Sequence, residues 1–134
     1  MTAARVAELG TQHWPVEIRL KQAEKLLEVD FDDGVSYRYP AEYLRVESPS
    51  AEVQGHGPSQ KQLVSGRRHV GILALEPVGN YALRISFDDL HDTGIFTWAY
   101  LYELGQQQTE KWQHYLAAIA ASGLSREPPK RAGA

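Results

Sequence analysis

The side chains best suited to chemistry in this chain are its five histidines and the carboxylates near them. His91 stands in the run Asp88-Asp89-Leu90-His91-Asp92, just after a strand-like stretch. An imidazole among carboxylates is oriented by them, made more basic, or joined with them into a nitrogen/oxygen metal site. Paired with Asp89 or Asp92 it would be an acid–base couple. A turn rich in aspartate for backbone reasons, with His91 held as a structural residue, explains the same pattern more simply. His56 lies in Gly55-His56-Gly57, where flanking glycines let the main chain approach a ligand closely. A plain surface loop accounts for that motif equally. His13 has no local partner, His114 falls on the polar side of a helical run, and His69 closes the basic triplet Arg67-Arg68-His69, read as a solvated face. Metal spacings such as H-E-x-x-H are absent, as are a G-x-S-x-G elbow and both common phosphate-cradling glycine motifs.

The elements that must position these residues are legible from periodicity. Val16, Ile18 and Leu20 alternate with polar residues, as do Leu27, Val29 and Phe31. Asp32-Asp33-Gly34 supplies a turn, and Val35, Tyr37 and Tyr39 continue the hairpin. Pro40 closes that strand and a short helical turn starts at residue 41. Residues 46–68 hold three glycines, two prolines and four serines without periodicity, a long loop of the kind that carries function. A second hairpin is expected from Val70–Leu75, a turn at Pro77–Asn80, and Tyr81, Leu83, Ile85 and Phe87 on a buried face; residues 88–94 read as a polar connection. Thr97 caps a helix bearing Trp98, Leu101 and Tyr102. Gly105 is expected to interrupt it before a second helical run over 106–121. Strands first and helices last predict an α+β domain: a small antiparallel β-sheet of two hairpins with C-terminal helices packed on it. Residues 1–13 are expected to be a flexible arm, 14–121 a single domain, and 122–134 a flexible tail.

At 134 residues, 43% hydrophobic and 23% charged, the chain fits one domain with a real core. A net charge of −3 gives no basic field for nucleic acid or anionic membranes. The chain has no cysteine, which removes disulfides, thiolate nucleophiles and thiolate-held metal or iron–sulfur sites. Without a long apolar run or a secretory leader pattern, a cytoplasmic protein is expected.

Several separated motifs agree in order with one family. WPVEIRL (14–20), FDDGVSYRYP (31–40), AEYLRV (41–46), SPSAEVQGHG (48–57) and VGNYALRISFDDLHDTGIFTWAYL (78–101) resemble the N-terminal domain of gamma-butyrobetaine hydroxylase. That domain also occurs as a free-standing bacterial protein, the DUF971 family. The resemblance covers residues 14 to 104. It implies a non-catalytic domain, because the iron- and 2-oxoglutarate-dependent chemistry of the hydroxylases belongs to a following double-stranded β-helix that the residues after 104 are not expected to supply. It also implies four former zinc-ligand positions, three cysteines and a histidine in the hydroxylases, which fall here on Ser48, Ser50, Val53 and His91. Hydroxyls and a valine do not replace thiolates. A structural zinc contributes about 10–16 kcal/mol to small domains, so this chain must draw its stability from a core.

The family pattern raises His56 and His91 as a pair. With Glu47, Glu52, Asp89 or Asp92 they would form a weak site suited to iron, nickel or zinc. The domain's fusion to ATPases that resemble iron–sulfur carriers implies an accessory part in metal or iron–sulfur metabolism. Three functions are therefore carried forward. The first is a non-enzymatic domain that binds a protein partner through the 46–68 loop and the Asp88–Asp92 surface. The second is a metal binder at His91 and His56, and the third is an acid–base enzyme. An exposed edge strand would also make a homodimer easy.

Overall fold

A computed structural model describes residues 13–49, 63–91 and 94–128. The expected α+β class holds as two three-stranded antiparallel sheets; the three strands of the first were expected, and the second hairpin gains a third strand. The first sheet runs β1 (Pro15–Lys21), β2 (Leu26–Phe31) and β3 (Ser36–Pro40) in that order. The second runs β4 (Ile72–Val78), β5 (Ala82–Phe87) and β6 (Gly94–Thr97). Helix α1 (Ala41–Val46) follows β3, and α2 (Trp98–Gln106) and α3 (Gln108–Ala121) follow β6.

Alternation explains most of the first sheet. Leu27 pairs with Tyr39 and Val29 with Tyr37, so the apolar sides of β2 and β3 share one face. Gly34 takes φ +88° in the turn, a conformation that favours glycine. The opposite face of the sheet carries ions: Arg19 donates to Glu28 at 2.8 Å and to Asp30 at 2.9 and 3.0 Å, and Arg38 donates to Glu28. Alternation fails where the ladder slips. A register shift between Pro15 and Glu17 turns Val16 out to solvent, 66% exposed, although its period matches Ile18 and Leu20. A second shift between Ile72 and Ala74 leaves Leu73 exposed in the same way.

The second sheet departs further from expectation. Pro77 and Val78 belong to β4, whose outer edge tolerates a proline because no strand needs its missing N–H. The turn comes later, where Tyr81 N–H donates to the Val78 carbonyl. Tyr81 is consequently part-exposed instead of buried with Leu83 and Ile85. The expected polar connection ends early, because Gly94–Thr97 pairs with β5 as a third strand.

The faces of both sheets and one side of α2 close on a single core built around Leu27, Val29, Phe31, Ile85, Phe87 and Leu101. Thr97 caps α2 as its sequence predicts, its hydroxyl accepting from Tyr100 N–H at 3.1 Å. Gly105 does not interrupt the helix; α2 runs through it and the break falls at Gln107. The reason for glycine is packing, since a Cβ there would lie 2.3 Å from two atoms of the Tyr37 ring.

Residues 122–128, expected in a loose tail, touch the body of the domain. Gly66 N–H donates to the Ser125 carbonyl at 2.8 Å and Arg68 N–H to the Arg126 carbonyl at 3.0 Å. The periodicity of the apolar residues says nothing of this, because the contacts are main-chain and ionic.

The Gly105–Tyr37 contact sets two effects against each other. Gly105→Ala should gain about 1 kcal/mol of helix propensity, yet overpacking a full core costs about 1–3 kcal/mol and a 2.3 Å approach lies far inside contact distance. We expect urea denaturation to show net destabilisation of about 1–2 kcal/mol. A stabilised variant would mean that Tyr37 yields freely.

Candidate functional site

The polar cluster singled out by sequence gathers at the end of β5 and the start of the segment after α1. Helix α1 delivers Arg45 and Glu47, and Ser48 follows directly. β5 ends at Phe87, and residues 88–91 form a tight turn in which Phe87 N–H donates to the His91 carbonyl at 2.8 Å and Leu90 N–H to the Phe87 carbonyl at 3.2 Å. The Asp89 carboxylate accepts from His91 N–H at 3.2 Å. This self-bonding is the structural use of aspartate anticipated for the turn.

His91 is 4% exposed, and its Nε2 is hydrogen-bonded to the buried Ser48 hydroxyl at 3.0 Å. Gly94 backs the pair: a Cβ there would come within 2.8 Å of Ser48 Oγ. Two of the four positions that the family resemblance relates to zinc are therefore adjacent in space, 43 residues apart in the chain. A hydroxyl–imidazole hydrogen bond joins them, and a neutral serine with one imidazole does not make a structural zinc set.

Asp89 is also engaged. Its Oδ2 lies 2.8 Å from Arg45 Nε and 2.7 Å from Arg67 Nε. Burial pushes the Asp89 carboxyl upward, but the Arg45 hydrogen bond and charge, with help from the His91 N–H and Arg67, bring it below the ordinary range. A carboxylate fixed between two guanidinium groups is a poor general base and a poor metal ligand. Among the described residues no group of three or more histidine, cysteine, aspartate or glutamate side chains is arranged to hold a metal ion. His56, Glu52, Asp92, Ser50 and Val53 lie outside the described residues.

The other histidines divide. His114 is exposed, as expected. The triplet Arg67-Arg68-His69 is no free basic patch: Arg67 meets Asp89, while Arg68 and His69 meet Glu127. His13, without a neighbour in sequence, stacks on Tyr102 with ring centroids 3.9 Å apart, and its Nδ1 lies 3.4 Å from Asp33. The Tyr102 hydroxyl donates to Asp33 at 2.5 Å. That bond holds Asp33 below its ordinary range and raises the Tyr102 phenol to about 12. The trio ties the start of β1 and the first hairpin turn onto α2.

Sequence reasoning missed the feature of the turn that faces outward. Leu90 adopts φ +71° and is 86% exposed. The turn pattern, two residues followed by a left-handed one, normally places glycine there. An apolar residue where a strand-end turn wants glycine was the available signal.

Two measurements test the geometry. Ser48→Ala should cost about 1–3 kcal/mol in urea unfolding, because it leaves a buried imidazole nitrogen without its hydroxyl; an unchanged midpoint would remove the Ser48–His91 bond from the account. Asp89→Asn should cost a similar amount at neutral pH, about 1–3 kcal/mol. The folded carboxyl lies below its ordinary value of 3.8, so its contribution is full above that value and is lost as pH falls through the folded one. The stability gap between parent and Asp89→Asn should therefore be flat near neutrality and close only in acid. A gap that persists undiminished in acid would assign the loss to shape and not to charge.

Comparison with known proteins agrees with the residue-level resemblance. Residues 18–102 match the family described as gamma-butyrobetaine hydroxylase-like, N-terminal. A protein structure determined by NMR in solution is 48% identical, with a TM-score of 0.76, covering 91% of this chain and 96% of its own. A second NMR structure is 43% identical with a TM-score of 0.74, covering 90% of each chain. The crystal structure of a DUF971-family protein of unknown function from Acidithiobacillus ferrooxidans is 43% identical with a TM-score of 0.58, covering 68% of this chain and 91% of that one. A search of curated proteins gave no match. With more than half its length matched and close structural relatives along nearly all of it, this chain belongs to the gamma-butyrobetaine hydroxylase-like N-terminal domain family, in its DUF971 group.

Proposed function

We propose that this chain is a non-catalytic accessory domain that acts by binding a protein partner, and that the Asp88–His91 turn is part of the contact. One observation carries the reading: a large apolar side chain, Leu90, is held out into solvent by a strained and hydrogen-bonded turn. A left-handed backbone costs an L-residue about 1–2 kcal/mol, and glycine would avoid that cost. Retaining leucine at 86% exposure has no folding benefit to offset the strain. Strain of this kind is kept at sites that use the side chain.

The turn beneath Leu90 is stiff. Two main-chain hydrogen bonds, the Asp89–His91 contact and the Arg45–Asp89–Arg67 bridge fix its base. A rigid apolar knob enters a partner's pocket without ordering cost, the property that marks strong contact residues. The polar side chains considered for chemistry serve this rigidity, which is why the partner reading stands above the metal and acid–base readings. The family resemblance points to a partner from metal or iron–sulfur metabolism.

Leu90→Gly separates folding from binding. It should raise stability by up to about 1 kcal/mol through relief of the left-handed strain. Used as bait beside the parent in partner capture, the same variant should lose a protein that the parent retains. Identical captured sets from the two baits would overturn the assignment of Leu90 to the contact.

A further inference from the structure

On the side of the molecule formed by α1 and α3, a single arginine occupies what has the form of a recognition site. Glu42, in the first turn of α1, is 6% exposed. Its two oxygens accept from Arg126, Oε2 from Nε at 2.9 Å and Oε1 from Nη2 at 2.7 Å. The Arg126 guanidinium carbon lies 5.2 Å from the centroid of the Trp112 ring. A planar fork matched to a carboxylate and covered by an indole face is the arrangement by which proteins read arginine in preference to lysine. Beside it a cavity of about 350 Å3 remains, lined by Tyr43, Gln108, Thr109, Trp112 and Gln113.

The residues around Arg126 are read as well. Residues 66–68 present two N–H groups that bond the carbonyls of Ser125 and Arg126, and the Ser125 hydroxyl accepts from Glu127 N–H to fold the segment around Arg126. The next residue, Glu127, meets Arg68 at 2.5 Å and His69 at 3.7 Å. The body of the domain therefore supplies an acidic, aromatic-faced pocket for arginine, two main-chain donors, and a basic pair for the acidic residue that follows.

We propose that this surface is a binding site for a partner segment carrying arginine followed by an acidic residue, and that the chain's own residues 124–128 occupy it in competition. The segment in place shows the chemistry of the ligand. A tethered segment competes at an effective concentration on the order of millimolar, so a partner must bind more tightly than the strap or engage after it lifts. The site shares no residue with the Leu90 turn, and either assignment stands if the other fails.

The test uses the full chain, its Arg126→Ala and Arg126→Lys variants, and a capped peptide of the sequence Leu-Ser-Arg-Glu-Pro. Binding is read from Trp112 fluorescence and from the indole and Gly66 amide signals in NMR, with signal dispersion reporting that each variant is folded. Arg126→Ala should bind the peptide at least about tenfold more tightly than the parent, since the tethered competitor has lost its side chain. Arg126→Lys should fall between them, because lysine keeps the charge without the fork. Replacing arginine by lysine in the peptide, or adding Glu42→Gln to Arg126→Ala, should each weaken binding about tenfold or more. A folded Arg126→Ala or Arg126→Lys chain whose indole signal does not respond to the peptide overturns the proposal. So does equal binding by parent and Arg126→Ala, which would mean the strap guards nothing. A parent that forms dimers abolished by Arg126→Ala would give the pocket to a second copy of this chain and overturn its assignment to a partner.

Discussion

Four tyrosine hydroxyls, two buried and two half-buried, fix how the layers of this domain sit on one another. Tyr39 on β3 donates to the Leu101 carbonyl and Tyr43 on α1 to the Leu104 carbonyl, each at 2.7 Å. Tyr100 on α2 reaches the Glu47 carbonyl at 2.6 Å, and Tyr115 on α3 the Val64 carbonyl at 2.7 Å. Each ring contributes apolar area to the core and one donor that cannot be left unpaired there. Because every acceptor is a main-chain oxygen on a different segment, each bond sets an orientation as well as a distance. Burial pushes all four phenols upward, Tyr115 to about 12, so they remain donors across the neutral range. The Leu104 carbonyl lies in the last turn of α2, where helical carbonyls lack partners of their own kind, so Tyr43 also serves as a cap.

This network decides where the polar cluster stands. Tyr100 holds Glu47, and Ser48 comes next in the chain, beside His91. Asp89 is held by Arg45 from α1, the same short helix that the Tyr43 bond fixes two residues earlier. The imidazole and carboxylate that look chemical in sequence are spent on fixing the turn that bears Leu90. Charge pairs with this degree of burial contribute little net stability when compared with an apolar replacement, but they are strict about geometry. Geometry is what holding Leu90 at φ +71° requires.

The strands other than β6, the Thr97 cap and the class of the fold were legible because they follow from local periodicity: Leu27, Val29 and Phe31 against Tyr37 and Tyr39, and Thr97 before Trp98. Slips in the ladder were not. Val16 and Leu73 match the buried period and point outward, since a bulge is a property of the pair of strands and not of either sequence. Gly105 looked like a break because glycine is a poor helix former, while its use is to admit the Tyr37 ring. Ser48 and His91 were placed together only through the family resemblance; no local pattern joins residues 43 apart. The Arg126 site left no local trace, because it joins a short helix, a distant helix and the residues after it through charge.

At the Ser48–His91 corner a hydrogen bond stands where the family resemblance implies zinc ligands in the hydroxylases. Zinc sites of the kind the resemblance implies hold their ligands with about 10–16 kcal/mol, enough to make the corner inseparable from global folding. A single buried hydrogen bond contributes about 1 kcal/mol net, so the corner is held jointly with the Arg45–Asp89–Arg67 bridge and the main-chain bonds of the turn. The large apolar cluster reaches that corner through Phe87, whose ring centroid lies 6.0 Å from that of His91. The core supplies most of the stability, and the serine–histidine pair holds the turn that bears Leu90 against it. Without cysteine in the sequence, that task falls to hydrogen bonds, charge pairs and packing.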